Sequence, residues 1–222
     1  WLDIPLDVQK TEIKPEELKE FTPPNHIIEV GPTDLKKVIE KLKLAKKPLM
    51  VLGNGVRLSG ALKELDEFLH KTNIPVITSV NGNDIINGDY KYYCGRFGTH
   101  AQIAANNLLD ECDLLLSVGS RLYVRQTGYN FVNFAKNAYK IVVDIDNNEL
   151  NKPNMFANLK INSDAKLFLH KLNNNTIKKC SDEWKIYCRK KFNTSPRVLD
   201  RHRNKTNTVS HYNFVEKLNK YL

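Results

Sequence analysis

Three short segments gather residue types suited to holding a phosphorylated ligand. Gly53-Asn54-Gly55 follows an apolar run and precedes a helical pattern. Glycines there let the backbone turn tightly and come close to a phosphate, and the amino terminus of the next helix favours the anion. Gly119-Ser120-Arg121 follows a second apolar run, with Arg125 four residues on. Two guanidinium groups at that spacing could grip a phosphate or pyrophosphate through paired N–H donors. Asp144-Ile145-Asp146 ends a third run. A carboxylate there either accepts from ribose hydroxyls or caps a helix starting near Asn147. Each segment also has a plainer reading: a bare strand-to-helix turn, an ion pair, a helix cap. The glycine pair meets neither of two sharper fingerprints. Leu58 stands where a dinucleotide motif has its third glycine, and Ala61-Leu62 stand where a P-loop has Lys and a hydroxyl. Three strand ends carrying Gly, Arg and Asp in that order are more specific together than apart.

The elements that must position these residues follow from periodicity. Thr33 or Asp34 can cap a helix whose Leu35, Val38, Ile39 and Leu42 share one face, stopped by Pro48. Leu49–Leu52 is a short apolar run bounded by Pro48 and Gly53, hence a buried strand. Ser59 can cap a helix burying Leu62, Leu65, Phe68 and Leu69. Further strands are expected at Ile74–Thr78, Asp113–Val118, Tyr139–Asp144 and, briefly, Lys160-Ile161, with helices over about Ala101–Cys112 and Asp164–Leu172. Continuous apolar runs, in place of alternating ones, imply strands covered on both faces. Their alternation with helices predicts the α/β class: a doubly wound, Rossmann-like parallel sheet with ligands at the carboxyl ends of its strands.

The flanks read differently. Pro5, Pro15, Pro23, Pro24 and Pro32 make 1–33 an extended linker, in which Trp1–Pro5 could end a strand of another domain. After Asn173 the composition turns basic. Ser181 can cap a helix reaching about Phe192, and 176–205 carries a net charge of +7 out of +9 for all 222 residues. Tyr212, Phe214, Val215, Leu218 and Leu222 form a last amphipathic stretch. Hydrophobic residues at 41% exclude a disordered chain, and no apolar run approaches the ~20 residues of a membrane span. Only eight of the 34 basic residues are Arg, and Arg189–Arg203 encloses a single aromatic residue, Phe192, so a nucleic-acid partner is not expected. Cys94, Cys112, Cys180 and Cys188 show no CxxC spacing, which predicts free thiols in a reducing cytoplasm and no metal site. The chain starts at Trp1 with no signal-peptide pattern and reads as an excerpt of a longer protein.

Several segments in order resemble the acetolactate synthase large-subunit branch of the thiamine-diphosphate enzymes. They are Trp1–Gln9, Pro48–Gly55, Ile74–Ser79, Gly95–Gly98, Asp113–Arg121 and Val143–Asp146. The resemblance implies that 34–173 is the family's central α/β domain, with its DHS-like nucleotide-binding fold. It implies that 1–33 is the tail of a pyrimidine-binding domain with a linker, 174–209 a basic helical linker, and 210–222 the start of a diphosphate-binding domain.

For the parent protein the resemblance implies thiamine diphosphate and magnesium, a 2-keto acid substrate, decarboxylation or carboligation, and a homodimer or homotetramer. The cofactor carries that chemistry and the protein orients it. The family's activating glutamate and its Gly-Asp-Gly metal motif belong to the other domains. Gly88-Asp89-Tyr90 with Asn106 lacks the third Gly and the spacing. No residue here is therefore assigned a catalytic or metal-binding role, and the chain alone is expected to be inactive. The family's central domain also holds FAD, or in some relatives ADP, or nothing. Carried over by residue, that site comprises Gly53, Asn54 and Gly55; Ser79, Asn81 and Gly82; Gly119, Ser120, Arg121 and Arg125; Asp144, Ile145 and Glu149; and Asp164 with Ala165. Asn54 departs from a usual glycine, Phe97 replaces a His, and an Arg expected near Phe21 is absent. A related decarboxylase or hydrolase, or a non-catalytic nucleotide-binding module, are the alternatives.

Overall fold

Six short runs of apolar residues pair into one all-parallel sheet. A computed structural model describes residues 1–22, 28–86, 90–204 and 207–221. In chain order the elements are α1 (Leu6–Gln9), α2 (Pro32–Leu44), β1 (Pro48–Leu52), α3 (Gly55–Leu58), α4 (Leu62–Thr72), β2 (Val76–Thr78), β3 (Tyr93–Arg96), α5 (Ile103–Glu111), β4 (Leu114–Val118) and α6 (Val124–Thr127). Then come β5 (Tyr139–Asp144), α7 (Asn147–Asn151), β6 (Leu159–Asn162), α8 (Ala165–Asn173), α9 (Asp182–Asn193), α10 (Asp200–Arg203) and α11 (His211–Leu218). The strand order is β3-β2-β1-β4-β5-β6. The chain starts in the middle at β1, winds outward to β3, then returns to β4 and winds the other way. The order reverses between β1 and β4, which is where a doubly wound sheet opens a crevice beyond its strand ends.

The predicted double coverage of the strands is seen directly. Met50 and Leu52 of β1 face a core shared with Val38, Leu65, Phe68, Phe168 and Leu172 of α2, α4 and α8. Leu49 and Val51 face the other core, built with Ala105, Leu108, Trp184 and Cys188 of α5 and α9. Every residue of β1, β2 and β4 is buried. A strand buried on both faces keeps no polar alternation, so its sequence reads as a continuous apolar run.

Several expectations are corrected. β3 was not expected: Tyr-Cys-Gly-Arg is too short and mixed to read as a strand. The β2–β3 register shifts between Val76 and Thr78. Ser59 does not cap a helix. It closes the short α3, its hydroxyl donating to the Val56 carbonyl at 3.0 Å, and α4 begins after Ala61. α2 starts at Pro32 after Gly31, with neither Thr33 nor Asp34 as its cap. Apart from these corrections, Trp1–Pro5 pairs with no strand of this sheet among the described residues, and 1–22 is exposed throughout; the strand expected there belongs to another domain, on which this sheet does not bear. Ser181 does cap α9, accepting from the Trp184 N–H at 3.4 Å. That helix packs against β3 and α5 and buries Trp184 and Cys188. Of its basic residues only Lys190 is exposed; Arg189 and Lys191 are half-buried, and Lys185 is buried with its ammonium paired to Asp182 at 2.7 Å. Pro23, Pro24, Gly88, Asp89 and Leu222 lie outside the described residues.

Candidate functional site

The loops after β1 and β4 touch backbone to backbone at the switch point. The Gly53 N–H donates to the Val118 carbonyl at 3.0 Å, the Gly55 N–H to the Gly119 carbonyl at 3.0 Å, and the Gly119 N–H to the Val143 carbonyl at 2.9 Å. A Cβ on Gly53 would fall 2.1 Å from the Gly119 oxygen, and Gly119 itself sits at φ +61°. These glycines are thus required first by the mutual packing of two loops. The same packing leaves other donors free. Among the described residues the N–H groups of Asn54, Ser120 and Arg121 have no hydrogen-bond partner.

A crevice of about 550 Å³ opens over these loops. It brings together twelve of the fifteen expected residues: Asn54, Gly55, Ser79, Asn81, Gly119, Ser120, Arg121, Asp144, Ile145, Glu149, Asp164 and Ala165. The other three lie elsewhere. Gly53 is buried beneath the loop contact, and Gly82 lies under the turn after β2, where a Cβ would meet the Leu52 carbonyl at 2.9 Å. Arg125 is exposed and lines a different, shallower groove with Gly98, Thr99 and Asn106, its carbonyl accepting from the Thr99 N–H at 2.8 Å. Arg121 precedes α6 and Arg125 is within it, and Leu122 between them has φ +46°. The two residues therefore do not share a helix face, and they line different grooves.

The carboxylates divide their roles. Asp164 caps α8, accepting from the N–H groups of Lys166 at 2.8 Å and Leu167 at 3.1 Å. Asp146 caps α7 through the Asn148 N–H at 2.8 Å. Asp144, only 9% exposed, accepts from the Asp146 N–H through Oδ1 at 3.0 Å. Its other oxygen keeps its acceptor capacity. Burial, with Glu149 and Asp146 adding to it, pushes the Asp144 carboxyl above its ordinary value despite that hydrogen bond. Arg121 is already engaged: its Nε donates to Glu149 at 2.8 Å, and Lys152 reaches the other Glu149 oxygen at 3.0 Å. Burial alone would raise the Glu149 carboxyl, but these two cations outweigh it and hold it below the usual range. Lining residues not expected at the site include Ser59, singled out only as a helix cap, and Tyr123, Gln126 and Ser163. Gln126 Oε1 accepts from the Tyr123 N–H at 3.2 Å and the Ser120 hydroxyl at 3.4 Å, so it shapes the β4 loop. Its position in a one-turn helix leaves no periodic signal to find it by.

The thiols offer no chemistry at this site. All four are buried, and burial pushes Cys112 up to about 12 and Cys180 up to about 11, so these two stay protonated at neutral pH. No described helix is long and apolar enough to cross a membrane.

A family model described as the thiamine pyrophosphate enzyme central domain matches residues 35–172. A probable acetolactate synthase large subunit of Methanococcus aeolicus is 36% identical over 176 residues, covering 76% of this chain and 28% of that protein. The acetolactate synthase isozyme 2 large subunit of Escherichia coli is 35% identical over 153 residues, covering 68% and 27%. The acetolactate synthase large subunit of Cyanidium caldarium is 37% identical over 144 residues, covering 64% and 24%. The chain spans under a third of the length of these relatives.

Proposed function

Since the chain belongs to the thiamine pyrophosphate enzymes through their central domain, we propose that it serves an acetolactate synthase-like enzyme acting on 2-keto acids, with the crevice holding an adenine nucleotide, FAD or ADP. The carrying observation is the meeting, in one crevice at the sheet's switch point, of unpartnered backbone donors and a buried acceptor. The N–H groups of Asn54 and Ser120 suit phosphate oxygens, and the free oxygen of Asp144 suits a ribose hydroxyl. Arg121 contributes a guanidinium whose charge is shared with Glu149, so phosphate binding here rests more on the backbone than on side-chain charge.

The fit to thiamine diphosphate is different. That cofactor, when bound, supplies carbanion chemistry on the keto acid. We assign no residue of this chain to it or to magnesium, and no catalytic residue. The chain then acts as scaffold and nucleotide site within a parent that forms a homodimer or homotetramer. Four free buried thiols suit a cytoplasmic setting.

Calorimetric titration is the test. ADP or FAD binds saturably and raises the melting temperature, while thiamine diphosphate with magnesium does not bind. Asp144→Asn weakens the nucleotide by roughly tenfold or more, the loss of a hydrogen bond to a charged acceptor. Because its carboxyl is raised in the fold, ionised Asp144 costs stability as pH rises through that value, so the variant gains stability at neutral pH and the gain shrinks in acid. Absence of binding by both nucleotides, or tight binding of thiamine diphosphate, overturns the proposal.

A further inference from the structure

The amino ends of the strands open onto a second groove of about 570 Å³, as large as the crevice at the other end. Its floor is apolar, with Leu42, Ile74, Ile177 and Trp184 all buried there. The polar groups of that floor are already satisfied. The Trp184 indole N–H donates to the Pro48 carbonyl at 2.9 Å, and the Thr72 hydroxyl to the Phe68 carbonyl at 2.8 Å. The body of any occupant thus meets hydrocarbon and aromatic surface, and Tyr187 extends that surface by stacking on Trp184 at 5.5 Å.

The rim has the opposite character. Lys46, Lys47, Lys178 and Lys179 line it, and among the described residues none of the four is in an ion pair. Of the two glutamates there, Glu111 is taken by Lys191, which leaves Glu183 against four ammonium groups. The lining includes neither a glycine loop nor an arginine, so it lacks the donors that cradle or fork a phosphoryl group. Point-like ammonium charges over an apolar floor suit a single carboxylate.

We propose that this groove binds a small carboxylate with an apolar body, at a site separate from the crevice. The chain holds two tryptophans, and Trp1 is fully exposed, so Trp1→Phe makes the selectively excited tryptophan emission of the 222-residue chain a report on Trp184 alone. Octanoate is the probe, and 1-octanol its uncharged counterpart. Octanoate changes the Trp184 emission saturably and raises the melting temperature. 1-Octanol does so at least tenfold more weakly. The double reversal Lys178→Glu, Lys179→Glu, at two exposed side chains, weakens octanoate at least tenfold. A titration that does not saturate, equal responses to octanoate and 1-octanol, or reversals that lower the melting temperature while leaving the octanoate titration unchanged would each overturn the proposal. The last result would mean that the lysines serve only to offset the helix carboxyl termini gathered at that end.

Discussion

The two ends of the sheet are of similar volume and opposite chemistry. At the carboxyl ends the crevice is walled by backbone and carboxylates: two glycine loops in contact, unpartnered amides, and Asp144, Asp146 and Asp164. At the amino ends the groove is floored by Trp184 and aliphatic side chains and rimmed by lysine. Parallel pairing makes this difference unavoidable. All strands point one way, so the amino termini of α3, α7 and α8 collect at one end and the carboxyl termini of α2, α4 and α5 at the other. Aligned peptide dipoles leave partial positive charge at the first end and partial negative charge at the second. Acidic side chains are stabilised at the first and lysines at the second, before any ligand is considered. The lesson is that charge at either end has a baseline set by topology. Evidence for a ligand lies in groups the topology leaves unspent.

Three substitutions probe how far the two ends differ. Gly53→Ala has the largest expected effect. Its methyl would meet backbone that cannot yield, the Gly119 carbonyl and the Ser120 Cα, so unfolding in urea should show a loss of about 3 kcal/mol or more. A loss below about 1 kcal/mol would mean that the loops separate easily and the crevice is not preorganised. Trp184→Phe at the amino end leaves the Pro48 carbonyl without its indole donor, for about 2 kcal/mol. Glu149→Gln is the smallest. Arg121 is 71% exposed, so solvent screens that pair, while the pair with Lys152, 19% exposed, is better shielded, and about 1 kcal/mol in all is expected at neutral pH. Because the Glu149 carboxyl is lowered in the fold, its stabilisation is present above the unfolded value and is lost as pH falls through the folded one. Melting curves of wild type and variant should therefore converge in acid.

The central alternation was legible because burial on both faces writes itself as apolar runs, and five of the six strands were visible that way. β3 was hidden: it carries a glycine, ends in arginine and lies at the sheet edge. The residues of the crevice were legible where strand ends carry distinctive types. Arg125 lines another groove because the chain turns at Leu122, φ +46°, between Arg121 and the start of α6, a turn that residue types and spacing do not reveal. The aspartates looked equivalent in sequence. Which of them cap helices depended on where α7 and α8 begin, and helix starts are the least determined feature of a periodic pattern. The family's pattern carried the rest, since neither Ser79 nor Asn81 announces itself by type.

The bond from the Trp184 indole to the Pro48 carbonyl ties α9 to the first residue of β1, 136 positions earlier. Trp184 is 4% exposed, and Tyr187 stacks on it one turn later. A helix anchored so early in its length behaves as a strut and not as a tether. Force applied to the chain beyond Asn193 would be borne by the middle of the sheet, at the start of its central strand, and not taken up by slack in a linker. Stretching the molecule from its carboxyl side should therefore peel the later turns of α9 first and then rupture abruptly where the Trp184 indole meets Pro48.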